Sequence, residues 1–116
     1  MVYVSSLHYR NIVSVSRSGD AQLLMKQVMP NVGGIYGIAV DTMRNVIWAT
    51  SAAAPGTSTL AVGDSALPAL LEIRLSDGKP LRRFEMRTDA PTTSPGDIAL
   101  SPNGDVPVSD RQAGVL

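Results

Sequence analysis

The sequence predicts an all-β protein of antiparallel sheets, assembled from repeated four-stranded units. Three observations predict it. The stretch "YGIAVDTMRNVIWAT", Tyr36 to Thr50, returns sixty positions later within "PGDIALSPNGDVPVSD", Pro95 to Asp110. Ile38 then falls on Ile98, Ala39 on Ala99, Val40 on Leu100, Asn45 on Asp105, Val46 on Val106 and Trp48 on Val108. Secondly, the apolar residues alternate over short runs, which is the period of a half-buried strand. Thirdly, those runs are separated by tight-turn residues, of which Ser101-Pro102-Asn103-Gly104 is the clearest. Proline presets its φ there, and glycine accepts a positive φ at low steric cost.

The strands follow in order. Val2 to Ser5 is the first, and Ile12 to Val15 the second, with Val13 and Val15 on one face. Gly37 to Asp41 pairs with Val46 to Thr50 across Thr42-Met43-Arg44-Asn45. Leu70 to Leu75 sets Leu71, Ile73 and Leu75 against Glu72 and Arg74. Leu81 to Met86 places Phe84 and Met86 on one face. Asp97 to Leu100 and Val106 to Asp110 repeat the central pair, although Pro107 lacks the N–H of a ladder bond and implies a break or bulge. Two stretches carry helix formers, Asp20 to Gln27 and Ser65 to Glu72. The first is read as a strand because its counterpart, Pro80 to Met86, begins with proline and alternates.

Composition narrows the function classes. Ten basic residues balance ten acidic ones, so no field of one sign is available for nucleic acid or an anionic membrane. Aromatic residues make up 4%, too few for a base-stacking platform. The absence of cysteine removes disulfides, thiolate chemistry and cysteine–zinc sites. No apolar run approaches the roughly 18 residues that span a bilayer. The first residues also lack the apolar run of about 7–15 that marks a signal peptide. The compartment is left open.

Antiparallel four-stranded units in series, without intervening helices, are the blades of a β-propeller. The phase chosen puts residues 1–19 at the end of one blade, 20–76 in a complete blade and 77–116 in most of the next. An insertion at 52–69 lengthens the middle unit beyond the roughly 40–45 residues of WD-type blades. The chain is therefore expected to be a β-propeller fragment of roughly two blades that starts and stops within hairpins. Uncovered blade faces are expected to make it self-associate.

The segments "VYVSSLHYRNIVSVSRSGD", "GIAVDTMRNVIWATSAA", "ALLEIRLSDGKPLRRFEM" and "GDIALSPNGDVPVSD" resemble the gluconolactonase/regucalcin-like superfamily of six-bladed β-propellers. NHL-repeat and strictosidine-synthase-like propellers are relatives of that group. The resemblance covers nearly the whole chain and rests mostly on blade-building residues. It implies a parent of six blades and a divalent cation, often calcium, over the central channel. Oxygen ligands suit such a cation, which could polarise a lactone carbonyl and a water. The family's asparagine before the second strand is replaced here, in Tyr36-Gly37-Ile38 and Gly96-Asp97-Ile98. The Asp that ends a third strand is matched by Asp110, but not by Thr50 or Ser6. No bound cofactor is expected for this chain alone.

Strand order places the long loops, after the first and third strands of each unit, at one end of the sheets, where functional residues collect. Candidate site residues at this end are Asp110 as a metal ligand, with His8, Arg10, Tyr36, Asp97 and Arg111 as binding residues. His8 is the single histidine and could act as base or ligand. Arg10 and Arg111 sit in equivalent loops and could meet an anion. Each also has a plain reading, as a solvated or hydrogen-bonded loop side chain. Two functions remain for the parent: a metal-assisted lactone or ester hydrolase, or a non-catalytic NHL-like propeller that binds a small molecule or protein.

Overall fold

The computed structural model describes residues 1–6, 10–25, 33–52, 68–85 and 95–110. They form nine strands and, among the described residues, no helix. Sheet I contains β1 (Val2–Ser6), β2 (Asn11–Val15) and β3 (Ala21–Leu23). Sheet II contains β4 (Gly34–Asp41), β5 (Val46–Ala52), β6 (Ala69–Arg74) and β7 (Pro80–Glu85). Sheet III contains β8 (Pro95–Ile98) and β9 (Val108–Asp110). Every neighbouring pair is antiparallel. The all-β class predicted from alternation and turn chemistry is the class observed.

The turns close as their residues dictate. Gly19 takes φ 91° and donates its N–H to the Ser16 carbonyl at 3.0 Å. Asp41 accepts the Arg44 N–H at 3.1 Å and its guanidinium at 2.9 Å, which holds the Asp41 carboxyl below the usual carboxylate range. Asn45 follows at φ 56°, a conformation asparagine tolerates. Asp77 is lowered likewise, chiefly by the Lys79 backbone N–H and then by Arg74. Gly78 closes that hairpin at φ 71°.

The grouping of strands differs from the phase read in the sequence. The strand near Leu23, read as the first of the 20–76 unit, pairs with β2 instead of β4. Pro80–Glu85, read as opening the next unit, pairs with β6. The four-stranded sheet therefore runs from Gly34 to Glu85. Short turns such as those at Gly19 and Gly78 join antiparallel neighbours directly, so each holds two strands of one sheet.

Cross-strand pairing fixes how the units correspond. Val2 opposes Val15, Tyr3 opposes Ser14, Val4 opposes Val13 and Ser5 opposes Ile12. In sheet II, Ile47 opposes Ile73, Trp48 opposes Glu72, Ala49 opposes Leu71 and Thr50 opposes Leu70. Tyr3 thus corresponds to Trp48. The slide of sixty positions, which sets Pro107 with Ile47, is one residue out at this strand: Pro107 corresponds to Trp48 as well. In sheet III, Ile98 opposes Val108 and Ala99 donates to the Pro107 carbonyl at 3.1 Å, as Ala39 opposes Trp48. Pro107 cannot return a second bond, and β9 begins only at Val108. The break anticipated at Pro107 is present.

The core lies between sheets I and II. On one face of sheet II, Ile47, Ala49, Leu71 and Ile73 have no exposed surface. They cluster with Ile35 and Ala69, and with Ile12 and Met25 from the sheet I side. Tyr3, Leu24, Ile38, Val40 and Leu75 pack around that cluster. Sheet III lies against β4 and β5, away from β7.

Candidate functional site

The most constructed polar region lies where β1 and β2 meet the start of β4 and the end of β5. A bulge interrupts the β4–β5 register between Ile35 and Ile38. It sets Tyr36 and Gly37 together against Thr50, the two-against-one count of a bulge. Side chains bond backbone groups here. Ser5 Oγ donates to the Tyr36 carbonyl at 2.8 Å, joining sheet I to sheet II. Gly37 N–H donates to Thr50 Oγ1 at 2.9 Å, and Gly33 N–H donates to Ser51 Oγ at 2.9 Å. Thr50 and Ser51 are fully buried, so these bonds are shielded from water.

Asn11 completes the region. It is 1% exposed and uses both ends of its amide. Oδ1 accepts the N–H groups of Ile12 and Met25 at 2.7 and 3.1 Å, and Nδ2 donates to the Met25 carbonyl at 2.8 Å. One side chain thereby fixes the chain leaving β3 against the start of β2. Arg10 precedes it, buried and at φ 55°.

The predicted site residues fall around this frame in different ways. Tyr36 sits in the bulge, half-buried, with its carbonyl engaged by Ser5. Arg10 is buried beside Asn11, and so is not a solvated surface arginine. Asp97 lies in β8 and is exposed. Asp110 ends β9, opposite Pro95; its side chain lies outside the described residues. His8 and Arg111 also lie outside the described residues.

The bulge recurs. The β8–β9 register shifts between Pro95 and Ile98, as β4–β5 shifts between Ile35 and Ile38. Gly96-Asp97 therefore stands where Tyr36-Gly37 stands. Asp110 stands where Ser51 stands, one residue along from the Thr50 match read in the sequence. Sequence reasoning missed Ser5, Asn11, Thr50 and Ser51. The available signal was an asparagine immediately before an apolar strand, and two hydroxyl residues inside the apolar run "VIWATSAA". Among the described residues, no group of three or more His, Cys, Asp or Glu side chains is placed to hold a metal ion.

No family model matches the chain, and no curated protein or solved structure matches it. What defines it is its own geometry: antiparallel sheets, of which sheets II and III carry the same bulge near one end.

Proposed function

We propose that the chain is part of a β-propeller-like repeat protein whose loops, at the bulged ends of its sheets, bind a small molecule or a protein, as in an NHL-like module. The observation that carries this reading is how the frame spends its polar groups. Ser5, Asn11, Thr50 and Ser51 all bond backbone groups, which makes the sheet ends a rigid mount for loops. Such a mount suits recognition by whatever the loops present.

A second reading, a gluconolactonase-like hydrolase using a divalent cation, is favoured by one feature of sheet III. Asp97 and Asp110 stand on its two paired strands, near the same sheet end. Calcium takes six to eight oxygens, which two carboxylates alone do not supply. Titration calorimetry with calcium and a lactone-opening assay separate the two readings. The binding reading expects neither micromolar calcium affinity nor turnover. Calcium binding abolished by Asp110→Ala, together with turnover, would replace it by the hydrolase.

A further inference from the structure

The connection from β8 to β9 contains Ser101-Pro102-Asn103-Gly104-Asp105. Its closure uses an asparagine and a glycine side by side. Asn103 Oδ1 accepts the Ser101 hydroxyl at 2.6 Å and the Asp105 N–H at 3.1 Å, and Nδ2 donates to the Asp105 carboxylate at 3.2 Å. Gly104 takes φ 94° and donates its N–H to the Ser101 carbonyl at 3.0 Å. An asparagine carboxamide is also an electrophile, and the backbone nitrogen of the following residue can close a ring onto it. A side chain on that residue hinders the approach, and glycine has none.

The surroundings leave this pair open. Asn103, Gly104 and Asp105 are all exposed. A Cβ built on Gly104 would meet no atom nearer than the Arg44 guanidinium, at 4.0 Å. The other asparagines differ. Asn11, Asn31 and Asn45 precede Ile12, Val32 and Val46, whose branched side chains crowd the attacking nitrogen. Asn11 is also buried, with both ends of its amide bonded. Asp77-Gly78 could close the same ring, but Gly78 is buried against the Leu24 backbone. The Asp77 carboxyl is held below the usual range, chiefly by the Lys79 N–H, and an ionised carboxylate is a poor electrophile.

We propose that Asn103 is a site of spontaneous covalent modification, deamidating in the folded chain. The attack requires the Gly104 N–H to leave the Ser101 carbonyl, an opening of one exposed bond. The Gly104 nitrogen gives its proton to hydroxide and attacks Cγ of Asn103. The N–Cγ bond forms, the Cγ–Nδ2 bond breaks, and ammonia leaves with a proton from water. Water then opens the cyclic imide at either carbonyl. Opening at Cγ leaves aspartate on an unchanged backbone. Opening at the backbone carbonyl leaves isoaspartate, whose main chain is longer by a methylene.

Both products disturb the hairpin. Aspartate at this position sets a carboxylate against that of Asp105, where Nδ2 now donates. Isoaspartate lengthens the turn, and turn length sets register. The Ser101–Asp105 and Ala99–Pro107 backbone bonds then lose their alignment. The modification thus acts as a slow device that loosens sheet III, and it is independent of the binding reading above.

Incubation of the full chain at mildly acidic and mildly alkaline pH, followed by peptide mass mapping, tests the proposal. The Asn103 peptide should gain the mass of an NH2-to-OH exchange, faster at alkaline pH, and separate into two isomers. The Asn11, Asn31 and Asn45 peptides should keep their mass, and the Asp77 peptide should remain a single isomer. Asn103→Gln, which would need a larger ring, should stay unmodified. Amide hydrogen exchange at Ala99 and Ser101 should be faster in the isoaspartyl chain than in Asn103→Asp, which carries the charge without the longer backbone. An Asn103 peptide that keeps its mass, or gains it no faster than the Asn11 and Asn45 peptides, would overturn the proposal.

Discussion

Gly78→Ala should destabilise the chain by about 3 kcal/mol or more, summing a left-handed backbone cost with a clash that moves neighbouring backbone. Gly78 is buried at φ 71°, and a Cβ there would run into the carbonyl of Leu24. The Leu24 backbone cannot easily retreat. Its N–H donates to the Ile12 carbonyl at 2.7 Å, and the next residue, Met25, is 1% exposed in the core. The β6–β7 hairpin and the end of β3 would have to separate, opening the junction of sheets I and II. Gly19→Ala is the internal control. Gly19 has φ 91°, but a Cβ there would meet nothing within 4 Å. It should show only the backbone cost, about 1–2 kcal/mol. Urea denaturation of the two variants measures the difference, which isolates the contact with Leu24. Equal losses would show that Gly78 does not touch sheet I.

Asn11→Ala is expected to cost about 3 kcal/mol, because three bonds are lost at a site that water does not reach. The N–H groups of Ile12 and Met25 and the carbonyl of Met25 would all lose their partner. Asn11→Asp is the sharper variant. Its carboxylate can still accept from both N–H groups, but it turns a second acceptor toward the Met25 carbonyl in place of a donor. Burial and that carbonyl both disfavour the charge, so the folded-state pKa of the new carboxyl rises above its unfolded value. The folded state then holds its proton at a higher pH, and stability is regained as the pH falls through that raised pKa. Asn11→Asp should therefore be less stable than wild type at neutral pH and recover part of the loss in acid. Denaturation at two pH values reads this directly; a loss independent of pH would place Asn11 outside the buried network.

The fold class was legible because alternation and turn chemistry act locally. Leu71-Glu72-Ile73-Arg74 alternates visibly, and Gly19, Asn45 and Gly78 sit where a positive φ is needed. The break at Pro107 was legible for the same reason, since a missing N–H is a property of one residue. What failed was register and phase. A slide of sixty positions holds from Ile38 to Ile98, yet the second turn is one residue shorter. Ser101 bonds Asp105 there, whereas Asp41 opposes Val46 in the first unit. Turn length sets register, and a slip of one residue exchanges the two faces of a strand. The slide consequently puts Pro107 on Ile47, when it belongs with Trp48. The phase error has a related cause: the tight turns were treated as boundaries between units, although a tight turn binds its two strands into one sheet.

The candidate site was less legible than the fold. Its frame depends on contacts between residues far apart in sequence, Ser5 with Tyr36 and Asn11 with Met25, and no local pattern announces them. Charged loop residues drew attention because charge is conspicuous in a sequence. The residues that the structure brings together are small and polar, and they act on backbone groups.

The central claim is that sheet I lays its Tyr3/Ile12 face, and not its valine face, on the Ile47/Leu71 face of sheet II. Methyl–methyl nuclear Overhauser effects test it most directly. Cross-peaks from Ile12 to the methyls of Ile47, Leu71 and Ile73 are predicted, with none from Val2 or Val4 to the same three residues. Cross-peaks from Val2 and Val4 to that cluster, with Ile12 silent, would contradict the register on which the whole account stands.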